Sequence, residues 1–311
     1  MTATPMATSA PAPHRETSAP MRSRPRRAWY RLAFAAPAIV LVSVFFFLPF
    51  LANAGFSFTQ WTGYSDVISW NGLDNFRLMF ELGVIGHATL VTVGYAVVSM
   101  AVQNGVGLVL AKALQSTNRV NTVFRSVFFV PVLMSPLAAG YIWAGVLRSN
   151  GALNAVIGWV KPGFDYAWLG HDTSALLCVA TIDAWKWSGL VTLIYIAGLN
   201  RIPRTVVEAA TLDGAGAWLR FWRIEFPLLA PAFTFNLVIT LVGAFSALDV
   251  IFATTGGGPG NATRVLNAAV YEQYGQGLFG TASALSLVIT LLVIITAVPL
   301  IAWLRRREVR M

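Results

Sequence analysis

Residues 281–304 read TASALSLVITLLVIITAVPLIAWL, an apolar run without a charged side chain. As an α-helix that rises about 1.5 Å per residue, a run of about 20 residues crosses the roughly 30 Å hydrocarbon core of a bilayer. The whole 311-residue chain is 56% hydrophobic and only 11% charged, whereas about a quarter of the residues in a soluble domain are charged. The composition therefore excludes a water-soluble globular fold and predicts an all-α integral membrane protein.

Five more apolar blocks of similar length precede this run, so six transmembrane helices are predicted. Each block has almost no charge and is long enough to span a bilayer as a helix. Together they define a predicted six-span domain over residues 29–311. Its spans are residues 32–51, 87–111, 120–146, 174–199, 228–253 and 281–304.

The first 28 residues differ in composition from the rest of the chain. They are rich in Ala, Pro, Ser and Thr and end in a cluster of arginines, and such a segment buries too little apolar surface to fold alone. We expect residues 1–28 to form a disordered basic tail. A cleaved signal peptide is the alternative and would leave five spans. Because residues 32–51 exceed the usual apolar region of about 7–15 residues, an uncleaved first span is favoured.

The distribution of Lys and Arg predicts the orientation of the chain in the membrane. Seventeen of the 22 lie in the two tails or in and beside the connections that follow the second and fourth spans, while four lie in the other connections. Because cytoplasmic loops carry the excess of positive charge, both termini are expected in the cytoplasm. The same rule explains the net charge of +9, so nucleic acid is not predicted as a partner.

The connection between the fourth and fifth spans is unlike a simple loop. Residues 201–227 read RIPRTVVEAATLDGAGAWLRFWRIEFP, which predicts two short helices on either side of the Asp213-Gly214 turn signal. The second helix is amphipathic and rich in aromatic residues, and one interpretation is that it lies on lipid headgroups. The small side chains around Gly214 favour another, in which a partner protein approaches closely, as in helix-in-groove recognition.

This segment resembles the EAA loop of the permease subunits of ABC importers. The residues that match at fixed spacing are Glu208, Ala209, Ala210, Asp213, Gly214, Ala215, Phe221, Ile224, Pro227 and Pro231. One position departs from the pattern, since Phe226 stands where the family commonly has Leu. In that family the loop is the coupling helix, which sits in a cleft of the cytoplasmic ATPase. The resemblance therefore implies that Glu208 contacts the ATPase and that Gly214 provides the bend.

Resemblance to this family extends over nearly all of residues 30–310. Residues 70–76 are similar to the segment after the first span in sugar-type permeases. Residues 255–263 are similar to the outer loop of the first of two non-identical permeases in maltose- and glycerol-phosphate-type importers. The resemblance implies the type I importer architecture in a bacterial plasma (inner) membrane. It also implies three partners: a second homologous permease, an ABC ATPase dimer and an extracytoplasmic solute-binding protein.

No nucleotide-binding motif accompanies this resemblance. The glycine-rich run 256–260 lacks the Gly-Lys-Ser/Thr of a phosphate loop. ATP and magnesium are therefore expected on the partner ATPase, and this chain is predicted to have no cofactor and no enzymatic activity of its own. Its three histidines are scattered along the sequence, which predicts that it has no metal site.

Ionisable side chains inside the predicted spans are candidates for solute contact, because their burial in a bilayer is costly. Asp183 and Lys186 lie three residues apart in the fourth span, where they either pair with each other or face a cavity. Asp183 shares a helical face with Trp187 and Leu190, and a carboxylate beside an indole suits a sugar. The resemblance implies a cavity lined by the third to fifth spans, with the candidates Val132, Pro136, Asp183, Lys186, Trp187, Leu190, Thr240 and Ala244.

The predicted function is the import of a small-molecule sugar or oligosaccharide by alternating access, driven by ATP hydrolysis on the partner ATPase. Another solute, such as a glycerol phosphodiester or a polyamine, is an alternative, and an anionic solute would need more cations than Lys186 in the cavity. An ion-coupled secondary transporter that uses Asp183 and Asp249 as relay groups belongs to a different class, as does a membrane-anchored scaffold.

Overall fold

The computed structural model describes residues 26–308, which are mainly helical. The α-helices are α1 Arg26–Val42, α2 Leu48–Phe56, α3 Asp74–Glu81, α4 Val84–Ala113, α5 Arg119–Leu133, α6 Pro136–Val146, α7 Ala152–Gly158, α8 Asp172–Leu199, α9 Arg204–Leu212, α10 Ala217–Arg220, α11 Phe226–Leu228, α12 Ala230–Phe245, α13 Asp249–Thr254, α14 Leu266–Gly275 and α15 Phe279–Glu308. Two π-helical turns, Ser43–Phe47 and Phe221–Glu225, join α1 to α2 and α10 to α11. Within the described residues the β-structure is one isolated bridge between Thr59 and Trp70.

The chain forms two units that divide after residue 51. The described part of the first unit, residues 26–51, is continuously helical, because α1 runs through a π-helical turn into α2. From residue 34 onward its side chains are largely apolar and nearly all exposed, which is typical of a helix whose surroundings are lipid. Most of the predicted tail, residues 1–25, lies outside the described residues.

Four helical stretches are long and apolar enough to cross a membrane. They are Phe34–Phe56, Val84–Ala113, Asp172–Leu199 and Phe279–Arg306. Two further pairs of helices meet the same requirement only when the members of each pair are counted as one bent span. The described residues therefore contain four to six candidate spans, and the predicted all-α membrane fold is confirmed at that level.

The stretch predicted as the third span, residues 120–146, is not one straight helix. Helices α5 and α6 meet at 100°, where Met134 and Ser135 have extended backbone conformations. The residue before a proline is disfavoured in the α region. Pro136 begins α6, and the Ser135 hydroxyl accepts a hydrogen bond from the amide of Ala138 at 3.1 Å. The Ser-Pro pair thus ends one helix and caps the next.

The stretch predicted as the fifth span, residues 228–253, is also divided. Helix α12 ends at Phe245 and α13 begins at Asp249. At its other end α12 is bent by 71° from the segment Ala217–Leu228. Breaks inside apolar stretches are tolerated where the freed backbone groups face protein or a cavity, and the α12–α13 break borders the cavity described below.

The core of the second unit is built on the pairing of α4 with α8. Tyr95 of α4 and Val179 of α8 are fully buried in the main apolar cluster, to which α12, α13, α14 and α15 also contribute. Helix α5 packs on α8 at Gly189, where a Cβ atom would collide with the carbonyl oxygen of Phe128. Close approach through small residues is typical of helix packing in membranes, and here it requires glycine.

Candidate functional site

A cavity between α4, α8 and α12 brings four of the predicted residues together. Asp183, Trp187 and Leu190 of α8 line it with Thr240 of α12, around about 530 Å³ of empty space. Helix α4 contributes Gln103, and the remaining walls are apolar. The three α8 residues share the cavity because residues four and seven positions apart lie on one helical face.

A second space of about 770 Å³ adjoins the first, since Asp183, Trp187 and Gly243 line both. Pro136 borders this second space, and so does Asp249 at the beginning of α13. Two carboxylates therefore border it. Among the described residues that line the two spaces there is no Lys or Arg.

Asp183 is held by two polar side chains of α4. It is 6% exposed, and its Oδ2 accepts hydrogen bonds from Ser99 Oγ at 3.0 Å and from Gln103 Nε2 at 3.4 Å. Gln103 also donates to Ser99 Oγ at 2.7 Å. These contacts compensate the burial of the carboxylate and fix it at the cavity wall. Sequence reasoning missed Ser99 and Gln103, although two polar residues four apart in an apolar span are a signal.

Lys186 does not pair with Asp183, since no ion pair within 4.0 Å joins these two described residues. Lys186 is 1% exposed, its Nζ donates to the carbonyl oxygen of Val132 at 3.4 Å, and the same atom lies 3.8 Å from the ring centroid of Trp187. A cation over an indole face is an attractive contact. Lys186 therefore contacts Val132 of α5 and the ring of Trp187. The structure does not show the predicted alternative in which Asp183 and Lys186 form an ion pair with each other.

The remaining predicted cavity residues do not line either space. Ala244 is buried in the main apolar cluster, and Val132 contributes its carbonyl group to Lys186. Next to the cavity lies a polar chain that was not predicted: Asn104 of α4 donates to Thr240 Oγ1 at 3.1 Å and accepts from the Tyr195 hydroxyl at 2.7 Å. This chain ties α4, α8 and α12 together beside the cavity.

The loop at residues 201–227 contains two short helices, as its sequence predicted. Helix α9 ends at Leu212 and α10 begins at Ala217. Gly214 between them has a φ of +80°, which residues with a side chain rarely adopt. The amide of Ala215 donates to the carbonyl oxygen of Ala210 at 3.0 Å and closes α9. The backbone conformation at the bend thus favours glycine at position 214.

The residues expected to contact an ATPase differ in their exposure. Glu208, Ala209 and Asp213 are exposed, as is Gly214, whereas Ala210 is buried. The half-buried members are Ala215, Phe221, Ile224 and Pro227. The exposed residues are available to a partner, while the others fix the loop to its own chain.

Sequence reasoning missed Glu225, at the end of this loop. Glu225 is 3% exposed and lies in the π-helical turn Phe221–Glu225. It forms ion pairs with Lys112 of α4 and with Arg220, whose Nε lies 3.3 Å from the carboxylate. Arg220 also donates to Thr211 Oγ1 at 2.9 Å. The sequence signal that was overlooked is a lone carboxylate in an aromatic-rich helix.

The glycine-rich segment at residues 255–263 folds around two threonines. The Oγ1 atoms of Thr255 and Thr263 are 2.7 Å apart, and Thr263 Oγ1 donates to the carbonyl oxygen of Gly258 at 2.8 Å. Gly257 has a φ of +96°, and its amide donates to Thr255 Oγ1 at 3.3 Å. The glycines of this motif therefore allow a closed turn, and the threonines stabilise it by hydrogen bonds.

Comparison with known proteins identifies the family. The family described as binding-protein-dependent transport system inner membrane component matches residues 103–310. Because this match covers more than half of the chain, the chain belongs to that family. It is a permease subunit of a membrane transport system that depends on a binding protein, and the family resemblance of the loop is confirmed.

Several relatives are similar to this chain over most of their length. The probable starch degradation products transport system permease protein AmyD of Thermoanaerobacterium thermosulfurigenes is 28% identical over 284 residues, which cover 91% of this chain and 96% of the relative. The multiple sugar-binding transport system permease protein MsmF of Streptococcus mutans is 30% identical, with 89% and 95% covered. The sn-glycerol-3-phosphate transport system permease protein UgpA of Brucella abortus is 36% identical, with 83% and 89% covered. Like these permeases, the chain is not itself an enzyme.

Solved structures share the fold. A chain of the bacterial alginate ABC transporter, in complex with its alginate pentasaccharide-bound periplasmic protein, has a TM-score of 0.77 to this chain at 20% identity. The match covers 91% of this chain and 96% of that one. A second structure of an alginate importer gives a TM-score of 0.75, also at 20% identity. At this identity the likeness establishes the fold, which is that of an ABC importer permease.

Proposed function

We propose that the chain is one of two homologous permease subunits in an ATP-driven importer for a neutral sugar or oligosaccharide. The cavity at Asp183 and Trp187 carries this proposal, because it sets a carboxylate and an indole on one helical face among apolar walls. Sugar hydroxyls donate to a carboxylate, and apolar walls with a few placed polar groups are typical of ligand sites. The names of AmyD and MsmF agree with a saccharide.

Transport proceeds by alternating access. An extracytoplasmic binding protein delivers the solute, and ATP, bound with magnesium by the partner ATPase, closes the ATPase dimer. The loop at residues 201–227 docks on that ATPase through its exposed residues Glu208, Ala209 and Asp213. Movement of the loop rotates the spans as a rigid body, so that the cavity opens first to one side of the membrane and then to the other.

Six spans with both termini in the cytoplasm of a bacterial cell complete the proposal. Each bent pair of helices counts as one span, and the concentration of Lys and Arg at the tails and at the loop supports the orientation. This topology puts the loop at residues 201–227 in the cytoplasm, where ATP is available to the ATPase.

A cationic polyamine is the second candidate solute. The two carboxylates that border the cavity, Asp183 and Asp249, favour a cation. A glycerol phosphate or phosphodiester is the third, because UgpA, which is 36% identical to this chain, is named for sn-glycerol-3-phosphate transport. An anionic solute fits this cavity poorly, since Lys186 is engaged with Val132 and Trp187 rather than lining the walls.

An uptake assay separates these three classes of solute. Membrane vesicles that contain the complete importer and its binding protein receive radiolabelled maltose, maltotriose, spermidine or glycerophosphocholine. We expect uptake of a saccharide and none of spermidine or glycerophosphocholine. Uptake of spermidine without either saccharide would contradict the assignment to sugars.

A further inference from the structure

Glu225 connects the loop at residues 201–227 to α4, the helix whose Ser99 and Gln103 hydrogen-bond to Asp183 of α8. We propose that the ion pair between Glu225 and Lys112 is the link through which movement of this loop reaches α4 and, through α4, Asp183. The inference rests on the proposed function. It makes Glu225 and Lys112 positioning residues for transport, since neither lines the cavity at Asp183.

The loop holds Lys112 with two side chains. The carboxylate of Glu225, whose side chain is 4% exposed, forms an ion pair with Lys112 Nζ. The ring of Phe221, four residues earlier, has its centroid 5.7 Å from the same Nζ, so an ion pair and a cation–π contact act on one ammonium group. Separation of a buried carboxylate from one of its two cations is costly, because Arg220 alone then compensates the buried charge. Lys112 is therefore expected to move together with this part of the loop.

Helix α4 extends from this ion pair to the cavity. Lys112 lies in its last turn, while Ser99 and Gln103 hold Asp183 Oδ2. Lys112 and Gln103 are nine residues apart, or about 14 Å along a helix that rises about 1.5 Å per residue. No proline interrupts Val84–Ala113. A displacement at Lys112 is therefore transmitted along an unbroken helix to the groups that position Asp183.

Arg220 supplies a matched control. It also pairs with Glu225 and donates to Thr211, but all three residues belong to the loop itself. Loss of Arg220 removes a contact within the loop and leaves the contact with α4 intact. A variant at Arg220 therefore reports any effect that comes only from a less stable loop.

The test measures access to the cavity in the assembled importer, so it requires no known solute. The native thiol is removed by Cys178→Ser, and a single thiol is placed in the cavity by Gly243→Cys. Gly243 borders both spaces, and a Cβ atom there meets open space. The complete complex, with the second permease, the ATPase and the binding protein, is reconstituted into lipid vesicles. The rate of labelling by a membrane-impermeant maleimide is measured with and without added ATP and vanadate, which together trap the ATPase with nucleotide bound.

We expect trapped ATP to change the labelling rate about tenfold in the otherwise unaltered importer, a usual size for coupling between distant sites. Lys112→Met keeps an unbranched side chain of similar length but removes the charge, and it should reduce the change to below about twofold. Arg220→Gln should retain the change. Glu225→Gln should match Lys112→Met. The two changes combined should be no worse than either alone, because both break the same link.

A Lys112→Met importer that keeps the full change would overturn the inference and leave the proposed function intact. A Lys112→Met chain that fails to assemble would also overturn it, because the ion pair would then be a requirement of folding rather than a link. If trapped ATP leaves the labelling rate unchanged even in the otherwise unaltered importer, the proposed function itself fails, and the inference fails with it.

Discussion

We propose that recognition of the solute depends on Asp183. Its carboxylate is oriented by Ser99 and Gln103 and borders both spaces of the cavity. Lys186 lies on the same helix but is engaged elsewhere. The cavity therefore presents a hydrogen-bond acceptor that forms no ion pair with Lys186, which suits a solute rich in hydroxyl groups.

Asp183→Asn should lower the initial rate of saccharide uptake by about tenfold or more, since a hydrogen bond to a charged group contributes about 1.5–3 kcal/mol. Asparagine has nearly the same volume but loses the charge that the sugar hydroxyls contact. The measurement is uptake of radiolabelled saccharide into vesicles, with the amount of assembled complex determined in parallel.

Asp172→Asn is the matched control for this substitution. Asp172 lies in the first turn of the same helix, α8, and is exposed. It borders neither of the two spaces, so uptake should stay at the wild-type rate. Equal losses in both variants would show that the Asp183 effect is not specific to the cavity.

Among the elements, the bend between α9 and α10 is set by one backbone conformation. Gly214→Ala places a side chain at a φ of +80°, which costs about 1–2 kcal/mol. A Cβ atom at this position meets open space, so the cost is conformational rather than steric. Affinity for the ATPase should fall about 5–30-fold, as measured by binding of the purified ATPase to the reconstituted permease.

Gly216→Ala provides the comparison within the same loop. Gly216 has an ordinary φ of −61°, and a Cβ atom there also meets open space. Affinity for the ATPase should therefore stay close to that of the wild type. If Gly214→Ala binds the ATPase as well as Gly216→Ala does, the bend has no role in docking.

Helix α5 is positioned by its contact with α8 at Gly189. Gly189→Ala places a methyl group against the backbone of Phe128, and overpacking of this kind costs about 1–3 kcal/mol. The thermal unfolding temperature in detergent should therefore fall. Gly105→Ala, on α4 where a Cβ atom meets open space, should leave this temperature unchanged or raise it. Equal unfolding temperatures for the two variants would contradict the close approach of α5 to α8.

Apolar periodicity predicts the elements better than their breaks and their long-range contacts. The Ser135-Pro136 pair was a local signal for the break between α5 and α6, whereas residues 246–248 carry no comparable one. Ser99 and Asp183 are 84 residues apart in sequence, and Lys112 and Glu225 are 113 apart. Such pairs depend on how the helices pack in three dimensions, which a single sequence does not specify. The sequence therefore predicted Asp183 and the loop as candidates, but it did not reveal Ser99, Gln103 and Lys112, the α4 residues that contact them.

For the whole molecule, the distribution of positive charge predicts which loops face the cytoplasm. In a Cys178→Ser background, Asp66→Cys should react with a membrane-impermeant maleimide added outside intact spheroplasts. Asp213→Cys should react only after the membrane is opened. Both positions are exposed, so a difference in labelling reports the side of the membrane. Labelling of Asp213→Cys in intact spheroplasts would contradict the cytoplasmic position of the loop.

In the proposed importer, ATP hydrolysis on a partner subunit drives solute through this chain. The most direct measurement is saccharide uptake into proteoliposomes that contain the complete importer, with ATP supplied on the ATPase side and with proton and sodium ionophores added. We expect uptake that requires ATP and persists when the ionophores have collapsed every ion gradient. Uptake that proceeds without ATP and stops when the ionophores are added would contradict it and would indicate an ion-coupled transporter.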